Sequence, residues 1–245
     1  MGADLGFVKL LIGACGALYV ASLLMSPGAF EFSGLFQFLS PGRQALFLLG
    51  ASGAAPVYGL GRWWTVLSAS LLHGGLLHIL FNMLWVRNLA TPVADLYGAG
   101  RMVLIWTAAS VVGFTASSSA QAFLPPIPLI GGGGVMTVGA SASIFGLLGA
   151  LVLYGRRSGQ SAMRQQVWTW AVVMFVFGVL MPGVDNWAHA GGFAGGYLAA
   201  RWLDPLKPER IEHLALALVC LIATGLAVAV SVITGMKLLA GGPGG

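Results

Sequence analysis

The chain is a succession of long apolar stretches separated by shorter segments that carry most of its charged residues. An α-helix needs roughly 20 mostly apolar residues to cross a bilayer, and stretches of about that length recur along the whole sequence. Seven of them can be read, with approximate bounds Leu5–Met25, Leu72–Leu89, Arg101–Phe123, Gly139–Tyr154, Val167–Met181, Asn186–Leu203 and His213–Met236. The pattern therefore predicts an all-α, polytopic membrane protein with seven transmembrane helices.

Two long connections interrupt this pattern. The first, between predicted helices one and two, contains the apolar residues Phe30, Phe32, Phe36, Phe38, Leu46, Phe47, Leu48 and Leu49. Glycine and proline break it too often for a spanning helix, so we expect an amphipathic segment lying in the membrane interface. The second connection, Leu124–Val138, holds three prolines and a run of four glycines and is predicted to be non-helical. The glycine-rich tail 241–245 is expected to be disordered.

Composition excludes a soluble domain. Only 8% of the 245 residues are charged and 58% are hydrophobic, whereas soluble domains carry about 25% charged residues. The net charge of +5 does not indicate nucleic-acid binding, because the basic residues stand at the ends of apolar stretches, as in membrane proteins. Cys15 and Cys220 lie inside apolar stretches, where small-residue packing explains them. The first apolar run is too long for a signal-peptide core, so we interpret it as a retained helix.

The positions of lysine and arginine predict the orientation, since cytoplasmic loops are enriched in both. The connections after predicted helices two, four and six hold the residues Arg87, Arg101, Arg156, Arg157, Arg164, Arg201, Lys207 and Arg210. The long connection after helix one holds only Arg43 and Arg62, and those after helices three and five hold none. We therefore expect a cytoplasmic N-terminus and an outer C-terminus, although Lys237 stands on the outer tail.

Polar residues converge in this topology. Predicted helices two, four and six enter the membrane from the outer side, and their first turns carry His73, His78, Asn82, Ser141, Ser143, Asp185, Asn186 and His189. At 1.5 Å of rise per residue these groups lie at a similar shallow depth. Polar residues in membrane helices usually face a bundle interior or a water-filled cavity. A structural hydrogen bond to a neighbouring helix would explain any one of these residues, but not the depth that the whole set shares. For His73 taken alone, we favour such a structural hydrogen bond.

The residue types suit acyl transfer. His78 and Asn82, four residues apart, share one helix face, and both can donate hydrogen bonds to a developing oxyanion. A serine at a helix N-terminus lies in a positive backbone field, and serine with histidine is the minimal nucleophile and base pair. No metal-ligand spacing such as H-E-x-x-H occurs. We therefore predict a hydrolytic site that uses no metal and no cofactor.

Three stretches resemble a known family. They are HGGLLHILFNMLW at His73–Trp85, GASASIFG at Gly139–Gly146 and NWAHAGGFAGG at Asn186–Gly196. Their content and order are similar to those of the rhomboid intramembrane serine proteases. The resemblance spans nearly the whole chain and implies a six-helix rhomboid core at residues 1–204. A C-terminal seventh helix with a flexible tail would then occupy residues 205–245.

The resemblance implies an activity and partners. The protein would be an intramembrane serine endopeptidase of the bacterial inner membrane. It would act within the lipid bilayer on transmembrane segments of other membrane proteins, cutting near their outer ends. Nucleic acid is not an expected partner. A catalytically inactive relative that binds transmembrane segments is the alternative, which the presence of both serine and histidine argues against. A transporter is disfavoured because neither internal repeats nor broken helices at the midplane are visible.

The resemblance also implies roles for individual residues. Ser141 would be the nucleophile and His189 its general base, with Phe145 stacked on the imidazole. His78, Asn82 and the backbone N–H of Ser141 would form the oxyanion hole. Gly192 and Gly196 form a small-xxx-small pair that would let the sixth helix press against the fourth. Independently of the resemblance, hydrolysis in a membrane needs water, and Ser117 and Gln121, four residues apart near the outer end of the third helix, are candidates to hold it. A hydrogen bond between helices is the alternative for these two residues.

Two residues compete with these assignments. Asp185, four residues before His189, would complete a triad or cap the sixth helix, and its place after Pro182 and Gly183 favours the cap. Ser143 lies about 200° around the helix from Ser141, so only one of the two serines can face His189. The motif alignment selects Ser141.

The chain departs from the family pattern at two positions. Ala142 replaces the glycine that usually follows the nucleophile, and we expect its methyl group to lie near the oxyanion hole. Thr65 follows Trp64 where the family has arginine, so an arginine contact in the first loop is expected to be missing.

Overall fold

The computed structural model describes residues 4, 6–30 and 38–240, and this part of the chain is almost entirely helical. The α-helices are α1 Phe7–Leu24, α2 Arg43–Leu49, α3 Thr65–Ser68, α4 Leu76–Tyr97, α5 Ala99–Phe123, α6 Ser141–Arg157, α7 Ser161–Leu180, α8 Asn186–Trp202 and α9 Ile211–Ala240. A π-helical turn, Ala55–Gly59, precedes α3, and a 3₁₀ turn, Ala69–Leu71, follows it. The prediction of an all-helical, polytopic protein is confirmed.

The seven long helices, α1 and α4 to α9, correspond one to one with the seven predicted stretches. The largest differences are at α4, which extends to Tyr97, and at α7, which begins six residues early at Ser161. Hydropathy measures only the part of a helix immersed in lipid, whereas backbone hydrogen bonding continues into the polar interface. Predicted features at Leu5, Phe32, Phe36 and residues 241–245 lie outside the described residues.

Helices α1, α5, α7 and α9 are each long and apolar enough to cross a membrane. A fifth candidate span among the described residues combines residues 65–71 with α4, across a bend of 94°. Helices α6 and α8 have only 17 residues each and are rich in glycine, alanine and serine. Most of α6 is buried, so it forms the centre of the bundle, between α4, α5, α7 and α8.

Helix α8 is held close to two neighbours by glycine. A β-carbon at Gly192 or Gly196 would overlap the backbone of α6 at Ala142 and Gly146. On the adjacent face, a β-carbon at Gly191 would lie 2.7 Å from the side chain of Ala116 in α5. The backbones therefore approach more closely than larger side chains would allow, as small residues permit between membrane helices.

The described part of the first long connection folds into short helices that dock on α9. The buried guanidinium of Arg62 donates to the carbonyl oxygens of Phe47 at 3.1 Å and Ser231 at 2.8 Å. Trp64 Nε1 donates to Ser231 Oγ at 3.1 Å. The expectation that this connection lacks an arginine contact is wrong, because Arg62 reaches the carbonyl groups from three residues before Thr65.

A second anchor joins α9 to the bundle at the N-terminus of α5. Buried Arg101 donates to the carbonyl oxygens of Asp204 at 2.5 Å and Lys207 at 2.7 Å. The Arg101 backbone N–H donates to Glu209 Oε1 at 2.8 Å, where the carboxylate faces the positive end of the helix. The segment that leads into α9 and the helix itself are therefore both tied to the rest of the bundle.

The connection between α5 and α6 contains no helix over Leu124–Val138, as predicted. Two isolated bridges order it instead, Ile127 with Gly131 and Ser52 with Thr137. Trp187 Nε1 of α8 also donates to Gly131 O at 3.2 Å. The connection is consequently held against the starts of α6 and α8.

Candidate active site

Ser141 and His189 meet where α6 and α8 begin. Ser141 is the first residue of α6, and His189 lies one turn into α8. Their side chains lie 2.9 Å apart, measured from Ser141 Oγ to His189 Nε2. The imidazole stacks on Phe145 with ring centroids 4.3 Å apart and an angle of 16° between the planes. This geometry allows the imidazole to accept the hydroxyl proton.

The close approach of the two helices produces this contact. Gly192, one turn after His189 in α8, contacts the α6 backbone at Ala142, the residue after Ser141. Gly196, one turn further along α8, contacts the α6 backbone at Gly146. Larger side chains at these glycines would push α8 away from α6. Helix packing, rather than local sequence, therefore sets the distance between hydroxyl and imidazole.

The N-terminus of α6 supplies backbone donors beside Ser141. No side chain caps this helix, and its first hydrogen bond runs from the N–H of Ile144 to the oxygen of Ala140. The N–H groups of Ser141, Ala142 and Ser143 precede that bond, so helix geometry leaves them without intrahelical partners. They provide a positive field in which negative charge near Ser141 is stabilised.

His78 points one ring nitrogen towards the nucleophile. The Gly74 N–H donates to His78 Nδ1 at 3.3 Å, so the neutral ring carries its proton on Nε2. A β-carbon on Gly139, whose φ is +138°, would lie 2.7 Å from that Nε2 and 3.6 Å from Ser141 Oγ. Glycine at position 139 thus leaves the space between the imidazole donor and the serine open, a role that sequence reasoning did not assign.

Asn82 lies one turn below His78 and is buried. Its Nδ2 donates to the His78 carbonyl oxygen at 2.9 Å, which leaves one amide hydrogen for another acceptor. His73 also differs from expectation, because it lies before α4 and not in its first turn. Its buried ring meets the edge of the His78 ring with centroids 5.2 Å apart.

The side chains of Ser143 and Asp185, the two rivals in the site assignment, bind groups other than Ser141 and His189. Ser143 is fully buried and donates to Trp106 O of α5 at 2.9 Å, away from His189. The cap interpretation of Asp185 is confirmed, since its Oδ1 accepts from the Ala188 N–H at 3.0 Å. Its other oxygen accepts from the hydroxyl of Ser117.

Ser117 and Gln121 border the glycine run of the preceding connection. The Ser117 hydroxyl binds Asp185 and also accepts from the Gly134 N–H at 2.8 Å, so protein groups engage it on two sides. Gln121 is partly exposed, and a β-carbon on Gly132 would lie 2.9 Å from its Oε1. The two residues thus help to position the connection over the site.

Ala142 does not crowd the candidate oxyanion hole. Its methyl group is fully buried and packs with Phe114 of α5 and Ala188 of α8. Gly113 of α5 provides the room, since a β-carbon there would lie 2.9 Å from that methyl. The expectation that Ala142 places a methyl group near the oxyanion hole is therefore wrong. Within the described ranges, no group of three or more His, Cys, Asp or Glu residues could hold a metal ion.

Comparison with known proteins agrees with this architecture. The Rhomboid domain family model matches residues 60–204, which include α4 to α8 and every residue of the candidate site. The chain belongs to the rhomboid family and is an integral membrane protein.

Individual relatives carry protease and rhomboid-like names. The chain is 35% identical over 167 residues to Rhomboid protease GluP of Bacillus subtilis, covering 66% of this chain and 30% of that protein. It is 31% identical over 144 residues to Rhomboid protease GlpG of Pectobacterium atrosepticum, covering 57% and 48%. It is 32% identical over 181 residues to RHOMBOID-like protein 4 of Arabidopsis thaliana, covering 69% and 43%. The chain thus spans less than half the length of each of these relatives.

Proposed function

We propose that the protein is an intramembrane serine endopeptidase that cleaves transmembrane segments of other membrane proteins near the outer membrane face. The observation that carries the proposal is the 2.9 Å contact between Ser141 Oγ and His189 Nε2 at the start of α6. The names of the protease relatives support it, as does the clustering of three helix starts with their polar residues.

The reaction follows from the arrangement. Ser141 Oγ attacks the scissile carbonyl carbon while His189 Nε2 removes its proton, and the carbonyl oxygen becomes an oxyanion. The Ser141 N–H, His78 Nε2–H and Asn82 Nδ2 donate to that oxyanion. His189 then protonates the leaving amine, and a water activated by the same imidazole hydrolyses the acyl-enzyme.

The catalytic unit is a dyad in this proposal. Asp185 is engaged by the Ala188 N–H and Ser117, so it does not serve as a third member. Phe145 restricts the imidazole plane, and Gly192 with Gly196 sets the spacing of the helices. Gln121 holds water above the site, on the side of the 131–134 glycine run, and Ser117 fixes that run in place through its bonds to Asp185 and Gly134.

The membrane arrangement belongs to the same proposal. Residues 1–204 form a six-helix core, and residues 205–245 add the seventh helix, which packs against α5 and the first connection. The N-terminus lies in the cytoplasm and the C-terminus outside the bacterial inner membrane. Seven long helices and the bias of arginine towards alternate connections support this assignment.

Probe labelling and substrate cleavage test the proposal together. Purified protein in liposomes is incubated with a fluorophosphonate probe and, separately, with a panel of single-pass transmembrane substrates. Wild type and Ser143→Ala should label and cleave, whereas Ser141→Ala and His189→Ala should do neither. A folded wild type that neither labels nor cleaves would contradict the proposal and favour an inactive, segment-binding relative.

A further inference from the structure

The proposed mechanism uses only Nε2 of His189 and gives no role to its other ring nitrogen, Nδ1. His189 is only 6% exposed, and its Nδ1 has no hydrogen-bond partner in the described part of the chain. When Nε2 accepts the proton of Ser141, the other nitrogen carries the hydrogen of the neutral ring and is a donor. An unpaired buried donor is unfavourable, and it leaves the ring free to adopt the wrong tautomer.

A second unpaired atom lies close to it. Asn186 is 3% exposed, and its Oδ1 also has no partner among the described residues. Asn186 stands three residues before His189, so both side chains emerge from one face of α8. They converge at Gly178 of α7, where a β-carbon would lie 2.6 Å from Asn186 Oδ1 and 3.4 Å from His189 Nδ1.

We propose that Asn186 is the positioning residue for His189. Its side-chain oxygen accepts the Nδ1–H hydrogen bond, directly or through one water, and thereby keeps Nε2 unprotonated and aimed at Ser141. Gly178 keeps the contact accessible because it has no side chain. The neutral amide takes the place that an aspartate has in a triad, since Asp185 is engaged in capping α8. The inference rests on the proposed protease function.

Substitutions of Asn186 test the role with a catalytic readout. Asn186→Ala should lower kcat and the rate of fluorophosphonate labelling about 10- to 100-fold, the loss of a hydrogen bond to a group that becomes charged. KM should stay nearly unchanged, because Asn186 is buried and acts through His189. Asn186→Asp retains an acceptor oxygen and should recover most of the rate, which a purely structural role would not predict.

Gly178→Ala provides an independent test from the opposite helix. Its methyl group, 2.6 Å from Asn186 Oδ1 and 2.9 Å from Val184 Cγ1, should push the two atoms apart and slow labelling similarly. Thermal unfolding is measured on the same preparation, because overpacking costs about 1–3 kcal/mol while alanine favours helix more than glycine does. Gly225→Ala in α9, with nothing within 4 Å, is the matched control and should label normally. Normal labelling of Asn186→Ala would refute only the positioning role of Asn186. An unreactive wild type would refute the protease assignment itself.

A separate groove lies at the opposite ends of the same helices. It has a volume of about 630 Å³ and is lined by Val152, Arg156, Arg164, Trp168, Phe193, Ala194, Tyr197 and Leu198. Its basic residues stand at the end of α6 and the start of α7. Its apolar residues continue from there towards the middle of the bundle.

The two arginines of this groove are not neutralised. Within the described ranges neither Arg156 nor Arg164 has a carboxylate within 4.0 Å, whereas the neighbouring Arg157 pairs with Asp204 at 3.3 Å. Arg156 donates to the hydroxyl of Tyr197 at 3.4 Å, which holds its guanidinium over the groove. Two free cations beside an apolar channel complement an anion that carries a hydrocarbon chain.

We infer that this groove binds an anionic phospholipid. The phosphate would lie between Arg156 and Arg164, with an acyl chain along Phe193 and Leu198. Trp168 and Tyr197 suit the headgroup level, where amphipathic aromatic rings accumulate. The predicted cytoplasmic position of these helix ends agrees, because that leaflet attracts basic residues through its anionic lipids. This inference does not depend on catalysis.

The site is tested by native mass spectrometry. The purified protein is titrated with phosphatidylglycerol, phosphatidylcholine or inorganic phosphate. Wild type should retain phosphatidylglycerol over phosphatidylcholine, and the double variant Arg156→Gln/Arg164→Gln should bind it about 10-fold more weakly. Arg201→Gln, at the same membrane side, is the control and should keep the preference. Equal retention of both lipids by wild type, or an unchanged preference in the double variant, would refute the inference. Binding of inorganic phosphate alone would also refute it.

Discussion

The guanidinium of Arg62 donates to the carbonyl oxygen of Ser231 at 2.8 Å, joining the first connection to the middle of α9 across 169 positions of sequence. The same side chain lies 4.1 Å from the ring centroid of Phe47 and is 1% exposed. The seventh helix is therefore an integral part of the fold, because it supplies an acceptor that a buried cation requires.

Arg62→Ala should destabilise the protein by about 1.5–3 kcal/mol, the range for losing a hydrogen bond made by a charged group. Two carbonyl groups would lose their donor, and α9 would lose its main polar tie to the first connection. Thermal unfolding in detergent checks this expectation. Arg43→Ala removes an exposed arginine from the same connection and should change stability by less than about 0.5 kcal/mol. Equal effects of the two substitutions would show that the buried contact contributes nothing.

Gly196→Val should abolish labelling by the fluorophosphonate probe. Its side chain would overlap the Gly146 backbone and separate α8 from α6, at an overpacking cost of about 1–3 kcal/mol. Unfolding temperature and labelling rate are measured on the same preparation. Gly16→Val in α1, where nothing lies within 4 Å, is the control for the residue type and should still label. A fully reactive Gly196→Val protein would contradict the role given to helix approach.

His78→Ala and Asn82→Ala should each reduce turnover by about 10²–10³, the typical loss for one oxyanion donor. Both residues lie within two turns of the start of α4, so their removal should affect kcat more than the unfolding temperature. Steady-state cleavage in liposomes and thermal unfolding separate the two effects. Loss of folding in proportion to loss of turnover would assign the residues a structural role.

Asp185→Asn should leave labelling of Ser141 nearly unchanged. Asparagine caps helices about as well as aspartate, so the bond to the Ala188 N–H survives and stability changes little. Asp185→Ala should cost about 1 kcal/mol through the lost cap. If the carboxylate were instead a triad member, Asp185→Asn would lower the rate by about 10⁴. The labelling rate of the asparagine variant decides between the two.

Cysteine accessibility tests the topology. In a background with Cys15 and Cys220 replaced by alanine, single cysteines at Arg157 and Lys237 should react with membrane-impermeant reagents from opposite sides. If α7, α8 and α9 each span the bilayer, the chain crosses it three times between the two positions, which therefore lie on opposite sides. Labelling of both positions from one side would exclude the proposed orientation.

Sequence alone predicted the elements of the fold because their signal is local. Seven apolar stretches of about 20 residues correspond to the seven long helices, since a helix in lipid must satisfy its backbone internally and present apolar side chains. The non-helical connection 124–138 followed equally from its prolines and glycines. The capping role of Asp185 was likewise recoverable, because a cap involves residues within one turn.

Features that depend on contacts between distant residues were missed or mistaken. Ala142 was expected near the oxyanion hole, but the direction of its methyl group depends on Gly113, a residue of another helix. Arg62 has acceptors at Phe47 and Ser231, which no local pattern relates to it. The convergence of Asn186 and His189 at Gly178 similarly needs the packing of α7 on α8.

The sequence by itself determined which segments form long apolar helices and which polar residues stand at the helix starts, because hydropathy and rise per residue are properties of each segment. Only the tertiary structure decided that Ser141, rather than Ser143, lies 2.9 Å from His189. That distance results from the approach of α6 and α8 at Gly192 and Gly196, and helix packing depends on both surfaces at once.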